Sequence, residues 1–262
     1  MKRYILSSFV AAALTLTAGL SAQAQTIDRI LKEKKIRIIA EVTAPPFGFF
    51  DKNGQPDGSE IATTKQLAKD LSVELELVQD TGAQRIPALL AGRADVAISS
   101  LSITIDRAKT VMFANPHGAH SMIFTAPASV KITSAEDLAK KRVGITRGTL
   151  EEDTFPKITP KDSQFVLFCD IAATIQALIS GQVDCASFSS FIAKSVADRN
   201  PDKQLENIFT VATEYSAAAV KPGDFDLLHF LNTWVWLRLS DGTLGKIYEE
   251  NTSVKLVDLP KF

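Results

Sequence analysis

Asp95-Val-Ala-Ile-Ser-Ser-Leu-Ser-Ile-Thr-Ile-Asp-Arg107 is an apolar run that breaks into a cluster of hydroxyls and ends on an arginine. Val96-Ala97-Ile98 is short and uniformly apolar, which predicts a buried strand rather than a helix. Ser99, Ser100 and Ser102 then fall at its carboxyl end, where open α/β sheets bind ligands. An arginine such as Arg107 can grip a carboxylate there through two parallel N–H···O bonds, which lysine cannot reproduce. Singly, these residues make an ordinary serine-rich turn and a solvated arginine, with the adjacent Asp106 as an alternative partner. The functional reading rests on their combination.

The flanking sequence repeats the same grammar. Ile36 to Ile39 reads as a strand and is followed by a Pro-rich loop, Ala44 to Phe50, and by turn formers from Asp51 to Gly58. Ile61, Thr64, Leu67, Ala68 and Leu71 share one face of a helix beginning at Ser59. Glu74 to Val78 is the next strand, and Gln84 to Ala91 the next helix, with Pro87 in its first turn. A second round starts near Ser121. Its strands are expected at Met122 to Thr125, Val143 to Ile145, Phe165 to Phe168, Val183 to Ala186 and Phe209 to Ala212. Its helices are expected after Ser134, after Thr149, along Ile171 to Ile179 and along Phe191 to Ala197. Two further helices, Phe225 to Leu239 and Thr243 to Glu250, close the chain. Trp234 and Trp236 are two apart and so cannot share one helix face. Two rounds of β and α without a linker predict two lobes with a site between them.

Composition bounds the rest. The chain has 262 residues and a formal net charge of −1, with basic residues dispersed, which argues against nucleic acid as a partner. Residues 1–24 read as a cleaved signal peptide: Lys2 and Arg3, an apolar run from Ile5 to Leu20, and the small-residue site Ala22-Gln-Ala24. A membrane-anchored N-terminus is the rival, but the run is short and no lipobox cysteine precedes the mature start. Export to the periplasm would permit a disulfide between Cys169 and Cys185, but two buried thiols fit equally. His117, His120 and His229 form no metal motif, and the first two read as loop residues. No metal or cofactor is expected.

The chain resembles the periplasmic amino-acid-binding proteins that feed ABC importers, the family-3 extracellular solute-binding proteins. Pro46-Phe47, Ile86 to Asp95, Ser99 to Arg107, Ser134 to Thr149 and Asp241 to Tyr248 carry the resemblance, in order, across most of residues 28–250. It implies a two-lobed periplasmic-binding-protein fold of type II, α/β, each lobe a mixed sheet flanked by helices. Lobe 1 would comprise residues 25–124 and 216–262, and lobe 2 residues 125–215. The function implied is delivery of a small amino acid or related carboxylate, acidic ones included, to importer membrane subunits by hinge closure. The protein would act as a monomer and catalyse nothing. The rivals are a sensor that presents the closed form to a membrane receptor and an enzyme resembling the periplasmic cyclohexadienyl dehydratases.

The resemblance also assigns residues. Ser100, Ser102 and Arg107 would clamp the ligand's α-carboxylate or hold its ammonium, and Thr146 and Thr149 would meet the carboxylate from the second lobe. Thr81-Gly-Ala-Gln-Arg-Ile-Pro87 is similar to the segment of aspartate- and glutamate-binding members, in which the arginine, here Arg85, takes the side-chain carboxylate. The alternative is a surface arginine at a helix start. Three departures stand out. Ser189 replaces the usual acid for the α-ammonium. Ala44 and Gly82 replace aromatic side chains, leaving Phe47, read as core, and Phe49 nearby. Ala62 replaces a second acid after Glu60. Glu41, at the carboxyl end of the first strand, is the candidate substitute for the missing acid. A ligand with no ammonium, such as a dicarboxylate, is the other solution.

Overall fold

The computed structural model describes residues 26–261, so the expected leader over residues 1–24 lies outside them. In chain order the elements are α1 (Thr26–Glu33), β1 (Lys35–Ala40), β2 (Phe49–Phe50), β3 (Pro56–Asp57), α2 (Ser59–Leu71), β4 (Glu74–Gln79), α3 (Arg85–Leu90), β5 (Val96–Ala97), α4 (Ile105–Ala108) and β6 (Met112–Pro127). Then follow β7 (Arg142–Thr146), α5 (Leu150–Ile158), β8 (Gln164–Phe168), α6 (Ile171–Ile179), β9 (Cys185–Ser189), α7 (Ser190–Arg199), β10 (Leu205–Val220), α8 (Phe225–Ser240) and α9 (Thr243–Thr252).

Eight strands form one sheet in the order β4-β1-β5-β10-β6-β9-β7-β8. β1 pairs in parallel with β4 and β5 at one end, and β7 pairs in parallel with β8 and β9 at the other. The middle is made by β6 and β10, each 16 residues long and antiparallel to one another. β10 pairs with β5, and β6 with β9, so each lobe completes a mixed sheet with one of the two long strands. The sequence pattern suggests only short strands here, Met122 to Thr125 and Phe209 to Ala212. Both crossovers in fact lie within β6 and β10, and the expected boundaries after residues 124 and 215 fall inside these continuous strands.

Each lobe buries its own core. Ile36, Ile38, Leu67, Val96, Ile98, Leu231 and Trp234 pack together in lobe 1. Phe124, Leu138, Val143, Ile145 and Phe155 do so in lobe 2, with Phe124 stacked on Phe155 at 4.4 Å between centroids. The helix faces are those the periodicity predicts: Ile61, Thr64, Leu67, Ala68 and Leu71 of α2 are all buried. Caps set the ends of other helices. Asp170 accepts from Ala173 N to start α6, and Ser189 accepts from Ile192 N to start α7. Trp234 is buried and Trp236 half-exposed, as their spacing requires. Cys185 is buried, Cys169 is exposed, and both are free thiols.

Candidate ligand cleft between the lobes

The carboxyl ends of β1 and β5 place Glu41 and the serine cluster on the lobe-1 wall. The loop after β7 and the starts of α5, α6 and α7 supply the lobe-2 wall. Together they form a cleft lined by Glu41, Arg85, Ser100, Ser102, Thr149 and Ser189 from the expected set. Phe47, His120, Leu150, Glu151, Ile192 and Glu214 also line it.

Arg85 opens α3 and is buried, not a surface cap. Its Nη1 donates to Ser99 O at 2.6 Å and its Nη2 to Gly148 O at 3.0 Å, while Nε has no partner among the described residues. Arg107 donates to Ser102 O at 3.0 Å and to the same Gly148 O at 2.9 Å. Two guanidinium groups of lobe 1 therefore converge on one carbonyl of lobe 2. Asp106 does not hold Arg107; it accepts from Lys109 Nζ at 2.6 Å. Burial, and then the neighbouring charge of Arg107, push the Arg85 pKa down to about 10, so it is still a cation at neutral pH.

Gly148 makes this closeness possible. It sits at φ +76°, and a Cβ added to it would lie 2.4 Å from Ala83 N and Gly82 C of lobe 1. Ser100 adopts a left-handed φ of 46°, which is uncommon for a residue other than glycine. Its hydroxyl donates to Glu60 Oε1 at 3.4 Å. Thr149 occupies the N-cap position of α5, and its hydroxyl donates to Thr146 O at 2.8 Å rather than capping the helix. Thr146 itself is buried and paired with the Thr174 hydroxyl at 2.7 Å, outside the cleft lining. Phe49 lies in β2 beside an outer groove with Phe191 and Lys194, and Phe47, buried in a hydrophobic core cluster as expected, also borders the cleft. The tight bridge between Ala44 and Gly48 turns the chain inward at Phe47.

Buried acids and a histidine are the part that the sequence pattern does not reveal. His117 and His120 are not loop residues; they lie on β6. His120 faces Glu214 across the β6–β10 ladder, with Nε2 3.4 Å from Glu214 Oε2. Ser102 Oγ also donates to Glu214 Oε2. Burial alone would depress His120 and raise Glu214, but their mutual hydrogen bonding and charge reverse both, raising the His120 pKa and lowering that of Glu214. Glu151, in the first turn of α5, is pushed up to about 7 by burial and by the negative charge of Glu214. Glu41 is also raised by burial, although Arg85 and the Thr43 hydroxyl at 2.9 Å favour its charged form. Behind the cleft, His117 Nε2 lies 3.1 Å from Glu60 Oε2.

Two lobes joined by two continuous strands, with buried charges from both sides of the junction meeting in one cleft, define a two-lobed protein with a polar cleft between the lobes. Residues 36–253 match the bacterial extracellular solute-binding proteins, family 3, and the chain belongs to that family. Its role is therefore solute binding. A probable histidine-binding protein of Neisseria gonorrhoeae is 26% identical over 258 residues, covering 95% of this chain and 94% of its relative. An ancestral arginine-binding protein bound to arginine has a TM-score of 0.80 at 31% identity, over 83% of this chain and 98% of that one. An ancestral amino-acid-binding protein described as a precursor of cyclohexadienyl dehydratase also has a TM-score of 0.80 at 31% identity, over 87% and 99% of the two chains.

Proposed function

We propose that this chain is exported to the periplasm, closes on an α-amino acid, and delivers it as a monomer to the membrane subunits of an ABC importer, without chemistry of its own. The observation that supports this best is the convergence of Arg85 and Arg107 on Gly148 O, where the two lobes meet. A ligand carboxylate arriving there would meet the unpartnered Arg85 Nε, the Ser100 and Ser102 hydroxyls and the N–H groups at the start of α5. Arg85 then serves the α-carboxylate rather than an acidic side chain. Glu41 is the partner for the ammonium, since Ser189 contributes only a hydroxyl already engaged with Ile192 N. A buried ammonium without a carboxylate would cost several kcal/mol, which is why the role passes to an acid.

The test is a thermal-shift panel on residues 25–262, unfolded and refolded to strip any carried ligand. At a concentration of about 100 dissociation constants an α-amino acid should raise the melting temperature by roughly 5–10 °C. Shifts with amine-free dicarboxylates alone would overturn the reading. A Glu41→Gln variant with unchanged amino-acid affinity would remove Glu41 from it.

A further inference from the structure

We propose that the ligand's side chain carries a second cation, a guanidinium or ammonium, seated between Glu151 of lobe 2 and Glu214 of β10, and that these two carboxylates set the specificity of the cleft. This rests on the amino-acid reading above, which commits Arg85 and Arg107 to the α-carboxylate and Glu41 to the α-ammonium. Glu151 is then left over in the cleft wall, with Glu214 lining the same space. Glu214 is shared with His120 and Ser102, whereas for Glu151 burial and the charge of Glu214 outweigh what its backbone N–H, Thr149 and His120 contribute to its charged form. Both carboxylates line the same cleft, and each lies in the negative field of the other. A cation between them removes that repulsion, while a second ligand carboxylate would add to it.

The surroundings suit a side chain with an apolar stem and a charged tip. Leu150, Ile171, Ile192 and Phe47 line the cleft beside the acids. Ala44, also in the lining, is small and leaves room where a bulkier side chain would narrow the cleft. Closure also becomes conditional on the ligand. Glu151 approaches from lobe 2, and Glu214 lies opposite His120 on the paired strands through which the lobes are joined. Bringing the two acids together is unfavourable until a cation is placed between them.

Titration follows from the same geometry. Glu151 faces Glu214 from β10, His120 from β6, Arg85 from α3 and Arg107 from α4, with Glu152 and Asp153 on its own helix. With the Glu151 pKa at about 7, a bound cation displaces its proton and draws the pKa down. Acid conditions protonate Glu151 and also charge His120, and both changes oppose cation binding.

The experiment is isothermal titration calorimetry of refolded residues 25–262 with L-arginine, its uncharged isostere L-citrulline, agmatine (which lacks the carboxylate) and L-glutamate. Wild type should bind L-arginine at least about 100-fold tighter than L-citrulline, as expected for a desolvated charge partner. L-arginine binding at pH 7 should release about half a proton, read from buffers of different ionisation enthalpy, and L-citrulline binding none. Glu151→Gln should abolish that release and weaken L-arginine selectively. Without any variant, L-arginine affinity should be about tenfold lower at pH 6 than at pH 8.

L-citrulline or L-glutamate binding as tightly as L-arginine would overturn the cation subsite and leave the carrier reading intact. So would equal losses for L-arginine and L-citrulline in Glu151→Gln, or an L-arginine affinity that does not change with pH. Agmatine matching L-arginine would instead overturn the carboxylate assignment of Arg85 and Arg107 while supporting the cation subsite.

Discussion

Replacing Gly148 with alanine should disable closure while leaving each lobe folded. The added Cβ would sit 2.4 Å from Ala83 N and Gly82 C, whereas ordinary contact begins at 3.4 Å. Both obstacles are backbone, so the lobes must part by about 1 Å to accept a methyl group. The bonds from Arg85 and Arg107 to Gly148 O, now 3.0 and 2.9 Å, would lengthen past hydrogen-bonding range. Each is a charged hydrogen bond worth about 1.5–3 kcal/mol, part of which water restores in the opened cleft. A net loss of about 3 kcal/mol from the closed state corresponds to roughly 100-fold weaker ligand binding.

Alanine at a left-handed position costs a further 1–2 kcal/mol or so, but equally in open and closed forms, so it lowers stability without touching affinity. Gly54 isolates that contribution. Its φ is +73° and no atom lies within 4 Å of an added Cβ, so Gly54→Ala carries the strain without the collision. Calorimetry with the amino acid giving the largest thermal shift, together with small-angle scattering, reads the difference. Gly148→Ala should lose affinity and stay expanded when ligand is added, and Gly54→Ala should do neither. Wild-type affinity in Gly148→Ala, or equal affinity losses in both variants, would refute the reasoning.

Other expectations can be read from stability and thiol chemistry. Trp234→Phe removes the bond from Nε1 to Asp70 Oδ2 at 2.7 Å and should cost about 1.5–3 kcal/mol in urea denaturation. Trp236→Phe, at a half-exposed position, should change stability by less than about 0.5 kcal/mol. Glu60→Gln weakens the buried contact with His117 and should cost about 1–3 kcal/mol at neutral pH. The folded pKa of Glu60 is depressed by His117 against the opposing effect of burial. Its contribution is therefore present above the ordinary carboxylate range, about pH 4.5, and is lost as the pH falls through the lowered value. Denaturation at pH 4 and pH 7 should show a smaller difference in Glu60→Gln than in wild type. A thiol reagent should label one cysteine in the native protein and two in guanidinium chloride. Cys169 is exposed, whereas Cys185 is buried with its pKa pushed up to about 12 by that burial.

Much of the fold was legible because periodicity reports burial locally. The apolar positions of α2 and the strand Val96–Ala97 follow from spacing alone, and so do the buried and exposed tryptophans of α8. The length of β6 and β10 was not, because Asn115, His117 and His120 interrupt the apolar pattern that marks a strand. Those polar residues are tolerated there by partners that lie far away in the chain. Asn232 accepts from Asn115 N, Glu60 meets His117, and Glu214 meets His120.

By itself, the sequence determined the alternation of strands and helices, the family, and the arginine and hydroxyl groups at the carboxyl ends of strands. These are properties of short segments, settled by side-chain period, capping and turn chemistry. Tertiary structure decided which polar groups face one another. It turned Phe47 rather than Phe49 into the cleft, joined Arg85 and Arg107 at Gly148 O, and gathered Glu41, Glu151, Glu214 and His120 around one space. Those meetings depend on strand register and lobe contact between segments that are distant in sequence. In that buried setting, charge and proton affinity are set by neighbours and desolvation rather than by residue type.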